Sequence, residues 1–140
     1  MSEPTTTFVP GEVPPADEMT AAWWDATREH RFTVQACPAC DHVQHPPRSH
    51  CTRCGGTGPL IPREISGAGT VDTFTVVHRG PRADVETPYV LARVRLAEGP
   101  VVLTRLPSEP QVGDPVTVGW VDLPDGRSLP VFRPTTQESA

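Results

Sequence analysis

The stretch Cys37-Pro-Ala-Cys40-Asp-His-Val-Gln-His-Pro-Pro-Arg-Ser-His-Cys51-Thr-Arg-Cys54-Gly-Gly56 holds all four cysteines of the 140-residue chain. Each Cys-x-x-Cys wraps a tight knuckle that aims both sulfurs at one point. Two knuckles complete a tetrahedron of the kind that binds zinc at ~2.3 Å per Zn–S bond. Gly55 follows the second pair, where the backbone must turn under the metal with positive φ; Asp41, a residue tolerant of that geometry, follows the first. The expected ligands are therefore Cys37, Cys40, Cys51 and Cys54, with one zinc per chain. Four thiolates leave no open coordination position, so the site is structural and does not activate water. Iron is the rival metal, because four sulfurs suit both. The gap between the pairs is short for such sites but accommodates two strands and a turn. A thioredoxin-type dithiol is disfavoured, since it needs a single motif in a βαβ setting. His42, His45 and His50 are close enough in sequence to replace a cysteine, but with two complete pairs they read as loop residues. Protonated, they would join Arg48 and Arg53 in offsetting the charge of a metal tetrathiolate.

Working outward, Phe32, Val34 and Ala36 alternate with Arg31, Thr33 and Gln35 in a strand that leads into the first pair. Asp17 or Thr20 starts a helix running to about His30, with Met19, Trp23, Ala26 and His30 as its inward stripe. Trp24 then points elsewhere, because neighbours on a helix lie ~100° apart. Residues 1–16 are polar and proline-rich without periodicity and read as a flexible tail. On the other side, Val43 and Pro46–Pro47 suggest a return strand and turn. Gly55-Gly-Thr-Gly-Pro59 is turn or linker. This divides the chain into a tail (1–16), a helix with a small metal ribbon (17–60), a barrel (61–134) and a second tail (135–140).

The barrel expectation rests on five strands without a long helix. Ile65–Val77 is the first, with Gly67 and Gly69 marking a bulge or bend. Pro88–Leu96, Val101–Leu106, Val116–Val121 and Leu129–Phe132 follow, separated by turns such as Glu98-Gly-Pro100 and Pro124-Asp-Gly126. A long bent first strand and four shorter ones suit an OB-fold barrel. An immunoglobulin-like sandwich needs about seven strands. The fold class is mainly β.

Composition narrows the function. The formal net charge is −5, which argues against a nucleic-acid partner that would require a basic face. All the positive side chains are arginine; without lysine, Schiff-base chemistry and a Walker-type phosphate loop are excluded. The first residues have neither the basic nor the apolar region of a signal peptide, and no apolar run spans a membrane. A cytoplasmic protein is expected, and a reducing compartment favours a metal over disulfides.

Taken in order, the aromatic helix, Phe32-Thr-Val-Gln, the two cysteine pairs around His45-Pro-Pro-Arg48, Gly67-Ala-Gly-Thr-Val71, Thr73-Phe-Thr-Val-Val-His78 and Leu129-Pro-Val-Phe-Arg-Pro134 form a specific pattern. It resembles the family of rubredoxin-like zinc-ribbon plus OB-fold proteins that accompany acyl-CoA enzymes, over roughly residues 17–134. The resemblance implies a non-catalytic subunit of thiolase-fold enzymes, among them thiolase with hydroxymethylglutaryl-CoA synthase and steroid side-chain retro-aldolases, with some members linked to MaoC-type hydratases. It implies that the helix and barrel contact the partner or shape the acyl-CoA site at the shared interface.

The residues agree with a non-enzyme. No Gly-x-Ser-x-Gly elbow and no fifth cysteine supplies a nucleophile. His78 with Asp72 or Asp84 is a conceivable acid–base pair, but a strand-end or interface histidine is the simpler reading. The carboxylates Asp122 and Asp125 flank a proline turn as solvated turn residues. Trp23, Trp24 and His78 are candidate partner contacts. Arg48, Arg79 and Arg82 are candidates for the CoA phosphates, which suit arginine's planar fork. The alternative is a single-stranded nucleic-acid binder, since zinc ribbons and OB barrels also occur there.

Overall fold

The helix that precedes the cysteines is shorter than its sequence pattern. The computed structural model describes residues 13–135, and in it α1 spans Ala21–Thr27. Asp17 Oδ1 accepts from both the amide and the hydroxyl of Thr20 (2.9 and 3.0 Å), which holds residues 17–20 in a turn. At the other end His30 has φ 56° and the Arg31 amide reaches back to the Ala26 carbonyl. That left-handed exit with a six-to-one bond stops the helix.

Two sheets follow. The first has the order β2-β1-β3, with β1 Thr33–Ala36, β2 Val43–Gln44 and β3 Ile61–Glu64, all antiparallel. The boundary expected between residues 60 and 61 falls just before β3, which pairs with β1. A strand beyond the glycine-rich segment therefore completes the ribbon's sheet.

The second sheet is the barrel, in the order β6-β5-β4-β7-β8: β4 Ala68–Val77, β5 Tyr89–Leu96, β6 Val101–Leu106, β7 Pro115–Asp122 and β8 Ser128–Pro134. In β5, Val90, Ala92, Val94 and Leu96 are buried while Arg93 and Arg95 are exposed, the period-two signature of one face on the core. Strand β4 pairs with β5 along its length but with β7 only through Ala68–Thr70. A register shift between Val71 and Thr73 marks the bulge where it curls away. Before the bulge, Gly69 lets β4 approach β5 closely, since a Cβ would lie 2.6 Å from the Arg95 carbonyl oxygen. The edge strands β6 and β8 approach each other without forming a ladder, so the barrel is partly open.

The two modules share one core. Phe32 and Val34 from the ribbon pack in the same cluster as Val71, Val94, Leu96 and Phe132 of the barrel. Phe32 is the junction, with its ring 6.0 Å from Trp23, 6.3 Å from Trp120 and 6.4 Å from Phe132.

This shared core corrects the expected helix stripe. The buried residues of α1 are Trp24, Ala26 and Thr27, while Met19 is 41% exposed and His30 lies at the surface. Trp24, expected to point away, is 8% exposed. The reason is that α1 is wedged between both modules and covered on two sides. Trp23 turns toward Phe32 and His45, and Trp24 lies under the guanidinium of Arg127, 4.4 Å from its ring centre. The two indoles meet edge to face at 4.8 Å.

Candidate metal centre

The two knuckles are built alike. In the first, the Asp41 amide donates to the Cys37 carbonyl (2.7 Å) and the Cys37 amide to that of His42 (2.9 Å). In the second, the Gly55 amide donates to Cys51 (3.0 Å) and the Cys51 amide to Gly56 (3.0 Å). Asp41 and Gly55 have φ of 66° and 76°, the left-handed geometry that reverses each loop.

The four cysteines are unpaired by disulfides, and their sulfurs all lie within 4.8 Å of one another. Cys37 and Cys54 sulfurs are 3.9 Å apart, and those of Cys40 and Cys51 3.7 Å. A tetrahedron with ~2.3 Å bonds has edges of about 3.8 Å, so the donor set fits a tetrahedral thiophilic ion. The amides of Cys54 and Arg53 point at Cys51 Sγ (3.5 and 3.3 Å). These bonds outweigh burial and bring the Cys51 thiol down to about 6. At Cys40 the His42 amide also favours the thiolate, but burial and the three neighbouring thiols push it up to about 11. Without metal, Cys51 thus gives up its proton more readily than Cys40.

None of the three nearby histidines joins this cluster. His42 Nε2 sits 3.2 Å from Thr52 Oγ1, and His50 Nδ1 3.5 Å from Ser49 Oγ. His45 is drawn into the module junction against Trp23 and Phe32, where burial lowers its pKa to about 4. Gln44 ties the inter-knuckle loop together: its carbonyl accepts from the Thr52 amide (2.9 Å) and its amide donates to the His50 carbonyl (3.0 Å). The sequence offered no signal for this buried glutamine beyond its place in a strand.

The helix carries the ribbon's connection to β8. Thr27 Oγ1 donates to the Trp24 carbonyl (2.6 Å) and accepts from the Ser128 amide (3.1 Å), both buried. His30 stacks on Trp120 at 5.3 Å, and its Nε2 is 3.1 Å from Asp122 Oδ1, which also accepts from Ser128 Oγ (3.0 Å). The contact with His30, then that with Ser128, holds the Asp122 carboxyl below its ordinary value. Arg127, buried over Trp24, donates to Asp125 (2.8 Å) and to the Pro14 carbonyl (2.6 Å).

The remaining expected site residues are dispersed. His78 and Arg79 are exposed just past β4, and Arg82 pairs with Asp84 (3.0 Å). Asp72 lies beside Arg93 and Arg95 (4.0 and 3.6 Å), each of which competes for the carboxylate that an acid–base pair with His78 would use. Arg48 borders an open groove of about 530 Å³ between the ribbon loop and the Glu98–Pro100 turn, and neither Arg79 nor Arg82 lines it.

Residues 24–59 match the rubredoxin-like zinc ribbon domain of ChsH2, and residues 62–124 its C-terminal OB-fold domain. A solved chain described as "Ltp2-ChsH2(DUF35) aldolase" superposes with a TM-score of 0.77 at 35% identity, over 87% of this chain and 98% of that one. The chain belongs to the ChsH2/DUF35 family. It is 34% identical over 129 residues to a probable enoyl-CoA hydratase alpha subunit of Thermomonospora curvata, covering 89% of this chain and 40% of that protein. It is also 40% identical over 85 residues to a DUF35 domain-containing scaffold protein of Pyrococcus furiosus, covering 60% of this chain and 62% of the relative. The chain thus spans well under half the length of the hydratase subunit it resembles. This ChsH2-like protein has the family's mainly β architecture of one short helix, zinc ribbon and OB-fold domain, with the four cysteines positioned to hold a metal ion. Among the described residues no helix is long and apolar enough to cross a membrane.

Proposed function

We propose that this chain is a non-catalytic subunit of an acyl-CoA-processing complex, docking on a hydratase or a thiolase-fold enzyme such as an aldolase and helping to form its acyl-CoA site. The observation that carries this is the likeness, over nearly the whole length of that chain, to the ChsH2(DUF35) part of an aldolase. The hydratase-subunit and scaffold relatives point the same way. In this reading the metal is zinc, held by four thiolates with no open position. Its contribution is to fold the knuckles. Trp23 and Trp24 then act on the partner indirectly, by fixing α1 between ribbon and barrel, while His78 is free to meet it. Arg48, Arg79 and Arg82 remain the proposed contacts for the CoA phosphates, all on exposed loops.

The test is co-expression with the host's acyl-CoA hydratase and thiolase-fold enzymes, then size exclusion and metal analysis of the peak. Co-elution with such an enzyme and one zinc per chain is the expected result. A zinc-loaded chain that elutes alone beside every one of them overturns the subunit role. Within the complex, Arg48→Ala, Arg79→Ala and Arg82→Ala are expected to raise KM for acyl-CoA without lowering kcat.

A further inference from the structure

The outer face of β4, β5 and β6 carries a pattern that neither the core nor the metal explains. By register, Arg93 on β5 lies between Thr73 and Leu103, and Leu91 between Thr75 and Arg105. Arg95 extends the same row. Leu103, at the centre of β6, is 71% exposed. A large apolar side chain this open on a regular strand gains nothing from the fold. The Arg105 guanidinium lies 3.9 Å over the ring of Tyr89, so both are already ordered.

Charge sets this face apart from the rest of the chain. Among the ion pairs of the described residues, Arg93 and Arg95 share a single carboxylate, Asp72, at 4.0 and 3.6 Å. The patch is therefore positive in a chain whose formal net charge is −5. Arginine and tyrosine are enriched at interface centres, and an exposed apolar side chain among them gives a partner surface to cover. Strand β6 is also an edge strand, so a partner can reach the face without displacing another strand. Stacking of nucleic-acid bases is poorly served, because it needs open aromatic faces and Tyr89 is covered.

We propose that the outer face of β4–β6, centred on Leu103 with Arg93 and Arg95, is the docking surface for an acidic patch of the acyl-CoA enzyme subunit. This rests on the subunit reading above. Carboxylates of the partner pair with the arginines, and an apolar residue among them covers Leu103. Such pairing steers association and makes it salt-dependent.

The experiment measures the affinity of the purified chain for the enzyme that co-elutes with it, by calorimetry at about 0.05 M and about 0.5 M NaCl. The variants are Leu103→Asp and the double change Arg93→Glu/Arg95→Glu, with Val112→Asp as control, since Val112 is 66% exposed elsewhere. Each surface variant is expected to weaken binding by roughly tenfold or more while keeping its metal and melting temperature. The control binds like wild type, and wild-type affinity drops at the higher salt. Wild-type binding retained by both surface variants overturns this docking face and leaves the subunit role intact. Failure of the wild-type chain to bind any acyl-CoA enzyme removes the subunit role and this face with it. Two further arms reassign the surface: salt-sensitive binding of a labelled single-stranded oligonucleotide lost in Arg93→Glu/Arg95→Glu, or self-association in light scattering lost in Leu103→Asp.

Discussion

In the barrel, alternate residues of β5 are withdrawn from water and the opposite side of each strand faces solvent, whereas all four residues of β3 in the ribbon are exposed. Ile61 of β3 is half exposed, while Val94 and Leu96 of β5 are almost wholly covered. The ribbon's large apolar side chains, Phe32 and Val34, are given to the barrel's core and leave its own sheet without one. A module of this size cannot bury enough surface to hold itself, so a metal is its internal support. The barrel relies on burial, and the ribbon relies on sulfur ligation and on its attachment to the barrel.

The largest expected effect breaks the ribbon alone. Cys51→Ser, or removal of metal by a chelator, forfeits ligation worth on the order of 10 kcal/mol in comparable small sites. Hydrogen exchange should show β1–β3 amides losing protection while those of β5 stay slow. Loss of protection in both sheets together would mean the shared core makes the modules one cooperative unit, and the contrast would fall.

Next come the two phenylalanines. Phe132→Ala removes a side chain 1% exposed and should cost about 3–5 kcal/mol in denaturant unfolding. Phe32→Ala, in the same range although it lies in the ribbon, would show that this residue serves the barrel. A cost for Phe32→Ala confined to the ribbon's exchange would restore the separation.

Acid should act at the junction between the modules. His45 has a pKa near 4 in the fold against 6.5 for an unperturbed histidine, because burial disfavours its charged form. The unfolded chain then binds a proton that the folded chain refuses. Stability is complete above about pH 6.5 and falls as pH drops toward 4, by on the order of 3 kcal/mol. His45→Phe should flatten that part of the melting-temperature profile.

The smallest effect is at the joint of helix and barrel. Thr27→Val keeps the shape but leaves the Ser128 amide without its acceptor. About 1–3 kcal/mol is expected, read as a lower denaturant midpoint with an unchanged slope.

How much could be seen in advance divides along the same line. The metal cluster was legible because ligand spacing is local: each Cys-x-x-Cys closes its own loop, and Asp41 and Gly55 stand at the left-handed positions that closure needs. The barrel strands were legible because an alternating strand such as Tyr89–Leu96 writes its two faces into the sequence; the bulge of β4, expected at Gly67 and Gly69, lies instead between Val71 and Thr73. The helix starts at Thr20, one of the two caps the sequence offers, but it ends before His30 and buries a different face from the expected stripe. A helical stripe assumes one core on one side, and α1 has neighbours on two. The pairing of β3 with β1 was hidden as well, since all its residues are exposed and carry no alternation.

The sequence by itself determined which four cysteines come together and the alternating strands of the mainly β barrel, because each depends on residues a few positions apart. Only the tertiary structure decided that Phe32 joins the two cores, that Trp24 is roofed by Arg127, and that Leu103 and the arginines of β5 share one open face. Those facts depend on contacts between residues distant in the chain, and periodicity reports which side of an element is apolar but not what will cover it.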